Sequence, residues 1–173
     1  MNEQESSGGM GTLVSATIEN PVVMEKDETS GIINVSLCGR TLNFEEWKKL
    51  QQDNYVMISE DVLNKIRDNY SLHEGEDMVF NFKILPSLST LTLDVVEKKA
   101  AEKGLSPLTL NEIFHVLSIL RVSSIRSMNL RWLFFMNDLR KDMIYEFSAT
   151  DSPEIKLSNP RTVFNSQVGF AYK

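Results

Sequence analysis

Apolar residues recur along this chain at two spacings, every second position in some stretches and every third or fourth in others. Residues 78–85, MVFNFKIL, alternate. Met78, Phe80, Phe82 and Ile84 fall on one side, Asn81 and Lys83 on the other, which is the pattern of a half-buried strand. Pro86 is expected to stop it, and an extended run at 88–93 is expected to pair with it. An earlier β-branched run at 32–37, IINVSL, predicts another strand, ended by Cys38 and Gly39.

Helical spacing takes over between these runs. Asn43 with Glu46 makes a capping box, Leu42 and Trp47 occupy the staple positions, and the spacing predicts a helix over 44–52. Ser59 repeats the logic with Ile58 and Leu63, and Val62, Leu63, Ile66 and Tyr70 share one face. That face ends at the turn 73–77, HEGED. Asp94 with Glu97 predicts a helix over 95–103, which Gly104 stops. Thr109 with Glu112 opens another over 110–122. Its residues Ile113, Phe114, Val116, Leu117 and Leu120 cover so much of the circumference that it should be central. Ser123, Ser124 and Ser127 weaken the pattern, and a further helix is expected over 128–145. The tail, beyond turns at 148–153 and 158–160, carries strand-like pieces at 162–164 and 168–172.

These elements predict an α+β fold, a single domain over 31–173 in which several helices pack a small antiparallel sheet. Residues 1–30 read differently. Glu3, Glu5, Glu19, Glu25, Asp27 and Glu28 stand against Lys26, with glycines and serines near the start, so a flexible acidic arm is expected, with one short ordered piece around 12–18. The apolar and charged fractions, 42% and 24%, are those of a globular protein. A lone cysteine, Cys38, reads as a small buried thiol in a reducing compartment. No basic n-region followed by an apolar core is present at the start, so the cytoplasm is the expected location.

Charge changes the picture in one place. The chain carries a net charge of −6, yet residues 113–137 hold Arg121, Arg126, Arg131 and His115 without one carboxylate. This is also the most hydrophobic stretch. It does not read as a membrane span, because each arginine at the bilayer centre costs roughly 2.5–3.5 kcal/mol. The arginines are spaced by five, so on one continuous helix they would spiral rather than align. A break near Ser123–Ser127 would bring them to one corner, where phosphate, anionic lipid or an acidic protein surface could bind. Otherwise each arginine snorkels from the core or pairs with a carboxylate elsewhere. An acidic chain is a poor nucleic-acid coat, so direct sequence-specific nucleic-acid binding is not expected.

Catalytic chemistry is not signalled. His73 reads as a solvated turn residue and His115 as a satisfied core or interface histidine, and neither has the spacing of a metal site. Gly8-Gly9-Met10-Gly11 lacks the lysine of a phosphate loop. No catalytic residue, metal or cofactor is therefore expected, and the chain reads as a non-enzymatic protein.

The order of elements in IINVSL, NFEEWKKL, SEDVLNKIRDNY and HEGEDMVFNFKIL resembles the matrix proteins of rhabdoviruses, in particular the shorter ones of plant-infecting members. Scarce alanine with plentiful Asn, Ser and Met fits a viral gene. The resemblance covers about a third of the chain, carries no Pro-Pro-x-Tyr or Pro-Thr-Ala-Pro motif, and lacks a basic N-terminal tail. It implies a viral structural protein of virion and host cytoplasm that self-associates and links nucleocapsid to envelope, with peripheral contact to an anionic membrane. The second class left open is a small accessory module that binds a host factor, of the movement or silencing-suppressor type. An enzyme is the third.

Overall fold

Asp27 organises the first hairpin. Its carboxylate accepts hydrogen bonds from the N–H groups of Thr29 (2.9 Å) and Ser30 (3.3 Å) and from the Ser30 hydroxyl (2.7 Å), and Gly31 closes the turn at φ +71°. These bonds, the Ser30 hydroxyl foremost, hold the carboxyl below its ordinary value. Strand β1 (Val22–Lys26) thereby folds back on β2 (Ile33–Arg40). The computed structural model describes residues 22–40, 42–69, 77–87, 90–137, 144–159 and 167–173. The ordered piece expected at 12–18, the strand-like piece at 162–164, and Tyr70 and His73 lie outside these.

The remaining elements are α1 (Phe44–Asp53), β3 (Met57–Ile58), α2 (Glu60–Asn69), β4 (Asp77–Ser87), α3 (Leu93–Glu102), α4 (Leu110–Ile119), α5 (Val122–Ser127), β5 (Trp132–Phe135), β6 (Ile144–Ser148), β7 (Glu154–Ser158) and β8 (Val168–Tyr172). Among the described residues, all eight strands join one sheet in the order β1-β2-β4-β8-β5-β6-β7-β3. The β5–β8 and β3–β7 pairs are parallel and the others antiparallel. The α+β class therefore holds, but the small antiparallel sheet expected from the sequence is instead a large mixed one.

Strands β1, β3, β5, β6 and β7 were not expected, and the segment expected to be a helix over 128–145 holds β5 and the start of β6 instead. The physical reason is burial on both faces. Leu133, Phe135, Tyr145 and Phe147 belong to a core packed by α1, α2, α4 and α5. Phe134 and Ile144 face the opposite core, with Val96 and Ala100 of α3. A strand buried on both sides loses its alternation and becomes a short apolar run, which periodicity alone does not distinguish from buried helix. Two smaller corrections have similar causes. Val22–Lys26, inside the expected arm, alternates between half-buried Val22 and Met24 and exposed Val23 and Glu25, and pairs with β2. Strand β4 runs through Pro86 to pair with Gly169, because β2 has already ended opposite Ile84 and only one neighbour remains.

Helix boundaries follow local chemistry. Both side-chain bonds of the capping box are made by Asn43 with Glu46 and by Thr109 with Glu112. Helix α3 starts at Leu93 behind Thr92, so Asp94 lies in its first turn rather than at the cap; of the extended run expected at 88–93, Leu93 is helical and residues 88–89 lie outside the described ones. Helices α1, α3 and α5 end alike. Tyr55, Gly104 and Asn129 adopt φ of +57°, +68° and +59°. The N–H groups of the next residues, Val56, Leu105 and Leu130, reach back to the carbonyls of Gln51, Ala100 and Ile125. Those three apolar residues are buried and pin each helix end to the core.

Candidate anion-docking corner

Helix α4 is buried at every position from 113 to 119, so its C-terminal carbonyls cannot rely on water. Each finds a donor. Val116 O accepts from Leu120 N–H (2.8 Å), and Leu117 O from the Trp47 indole (3.0 Å). Ser118 O, Ile119 O and Leu120 O all accept from one nitrogen, Nη1 of Arg121, at 3.1, 2.7 and 3.2 Å. Arg121 is thus a C-terminal cap, a cation at the negative end of the helix. Burial pushes its pKa down, although a guanidinium stays charged at neutral pH.

Leu120 and Arg121 are both extended, and this two-residue break redirects the chain into α5. The break precedes the serines rather than falling among them: Ser123, Ser124 and Ser127 all lie inside α5. Arg126 then projects from α5 to the β6–β7 turn, where Nε donates to Ala149 O (2.8 Å) and Nη2 to Thr150 O (2.6 Å). Arg131 works through its backbone, with N–H to Gln167 O (2.8 Å) and C=O from Ala149 N–H (2.7 Å). Its side chain is exposed.

The break brings the arginines together in pairs. Arg121 and Arg126 border a hollow of about 490 Å³ that Gln51, Val56, Val122 and Ser123 also line. Arg126 and Arg131 border a second, of about 300 Å³, with Thr150 and Asp151. The second adjoins a cleft of about 580 Å³ through Asn129, Leu130 and Gln167, and Lys26 and Met24 form its far side. Around α5 the concave surface therefore carries Lys26, Arg121, Arg126 and Arg131 against one carboxylate, Asp151. Among the described residues, none of the three arginines makes an ion pair. The alternative in which each pairs with a distant carboxylate is not met among the described residues. The alternative in which they serve the core holds for Arg121 and in part for Arg126.

Sequence reasoning missed Gln51. It is 1% exposed, lines the Arg121–Arg126 hollow, and its Nε2 has no hydrogen-bond partner. The signal was present, since Gln51 lies four residues after Trp47 and so on the buried face of α1. His115 is in the core as expected but is not satisfied, as neither ring nitrogen has a partner. Cys38 is half-buried rather than buried. Among the described residues, no three His, Cys, Asp or Glu side chains converge as a metal site, and no helix is long and apolar enough to cross a membrane. Searches of protein-family models, curated proteins and solved structures gave no match to this chain.

Proposed function

We propose that this chain is a non-catalytic assembly protein of the matrix type, which self-associates and docks an acidic protein partner at the α5 corner. One observation carries the reading. In a chain of net charge −6, three guanidinium groups line two adjoining hollows without an ion-pair partner among the described residues. A convergent set of cations that the fold leaves uncompensated favours an anionic surface supplied from outside. The arginines divide the labour: Arg121 and Arg126 hold the corner in shape, and Arg131 presents a free guanidinium at its rim.

Size-exclusion chromatography with light scattering across salt concentrations tests the assembly role. The expected result is higher-order species at low salt that dissociate as salt rises and that Arg131→Glu weakens. A monomer or dimer at every salt concentration, unchanged by that substitution, overturns the assembly role and leaves the accessory-module reading in its place.

A further inference from the structure

We infer that the hollow between Arg121 and Arg126 is a receptor for a phosphate monoester carried by the acidic partner. This rests on the docking role proposed above and names the group that the corner takes.

The hollow's polar wall consists largely of unused donors. Arg121 spends Nη1 on three carbonyls, and Arg126 spends Nε and Nη2 on two. Nε and Nη2 of Arg121 and Nη1 of Arg126 make no hydrogen bond to another described residue. Ser123 adds an exposed hydroxyl. Asn54 is partly engaged, its Nδ2 donating to Leu50 O at 2.7 Å. Among the described residues, no carboxylate lines this hollow, in contrast to its neighbour with Asp151.

Gln51 is the independent observation. A glutamine amide held at 1% exposure with an unpartnered nitrogen is an expensive feature in a native fold and calls for a partner. A half-turn of the amide exchanges its two ends, so the NH₂ can turn to an oxygen placed in the hollow. A phosphate monoester supplies three acceptor oxygens and about two negative charges, which matches two guanidinium groups, an amide and a hydroxyl. A carboxylate has fewer acceptor sites and half the charge. Val56 and Val122 give an apolar wall for the carbon that carries the ester. A polyanion or bilayer would instead need many cations spread over a surface, and the rest of this chain is strongly acidic.

The test uses the full chain. Thermal melts are recorded in inorganic phosphate and in chloride at matched ionic strength, for wild type, Gln51→Leu and Ser123→Ala. Phosphate should raise the wild-type Tm above the chloride value, less so for Ser123→Ala and not at all for Gln51→Leu, which should be at least as stable as wild type in chloride. An acidic peptide with one phosphoserine should bind wild type about tenfold or more tighter than its unphosphorylated twin, with the ratio near one for Gln51→Leu. If Gln51→Leu does not fold, the exposed Ser123→Ala carries the same comparison, with a reduced ratio expected. Equal melts in phosphate and chloride, or an undiminished ratio in both variants, overturn the assignment. Binding confined to phosphatidic-acid vesicles overturns it in favour of a membrane headgroup. If the phosphate arms fail while Arg131→Glu still weakens binding of the unphosphorylated acidic peptide, the docking role stands and only the phosphate assignment falls.

Discussion

His115 sits in α4 with 3% of its surface exposed. Its ring lies edge-on to Phe80, with centroids 5.6 Å apart, and neither nitrogen has a hydrogen-bond partner. Replacing it by leucine removes two unsatisfied polar atoms from the core while keeping most of the volume. Each such atom costs about 1–3 kcal/mol, so His115→Leu should stabilise the fold by about 1–3 kcal/mol at neutral pH once the altered packing is allowed for. The gain should grow in acid. Burial pushes the His115 pKa below 6.5, so between the two pKa values the unfolded chain binds a proton that the folded chain does not. Wild-type stability therefore falls as pH drops below about 6.5, by up to about 1.4 kcal/mol per pH unit, and the fall ends once pH passes the folded pKa. The variant should therefore gain on wild type as pH falls below about 6.5, until pH passes the folded pKa. Urea denaturation of both proteins at pH values from about 5 to 8 gives the difference directly, because the carboxylates titrate alike in both. A difference that stays constant across this range, or a variant less stable throughout, would refute the reasoning.

Three further substitutions test the packing and the corner. A Cβ at Gly169 would lie 2.7 Å from both Ile84 Cγ2 and Leu130 Cδ1, so Gly169→Ala should destabilise by about 1–3 kcal/mol, seen as a lower urea midpoint. Tyr55 holds φ +57° at the end of α1 with 87% of its surface exposed, and Tyr55→Gly should stabilise by about 1 kcal/mol, raising Tm by about 2–4 °C. Arg121→Met should cost about 1–3 kcal/mol because it strips the donor from buried carbonyls, whereas Arg131→Glu should stay within about 0.5 kcal/mol of wild type. Equal effects of these two in thermal melts would contradict their assignment as cap and rim.

Local chemistry was the most legible part of this fold. The two capping boxes, the stop at Gly104 and the alternation of β4 depend on residues within a turn of one another, and each formed where the residues predicted. Strand β8 (Val168–Tyr172) was also correctly placed, although all five of its residues are buried. Legibility failed where tertiary context decides. WLFF of β5 is apolar on both faces, and both it and IYEFS of β6 are buried between the core that contains α3 and the core that contains α4, so local pattern did not separate them from buried helix. Glu146 within β6 was a clue against a uniformly apolar helix face: it is buried, accepts from the Ser158 hydroxyl, and lies 3.8 Å from Lys156 Nζ. Pro86 and the acidic flank of β1 each obeyed a local rule that a single neighbouring strand overrode. At the corner, the three arginines and the need for a helix break were visible beforehand. The cap made by Arg121 was not, because it depends on α4 being buried at its end, and Gln51 was passed over because a lone glutamine on a helix is normally solvated.

Affinity for a labelled acidic peptide, measured against salt concentration for wild type and for Arg131→Glu, tests the docking role of the α5 corner most directly. Arg131 is exposed and its side chain makes no bond to another described residue, so its reversal changes the corner's charge without disturbing the core. The expected result is a wild-type affinity that falls steeply as salt rises, and a variant that binds more weakly at low salt with a shallower slope. Two superimposable curves would contradict it.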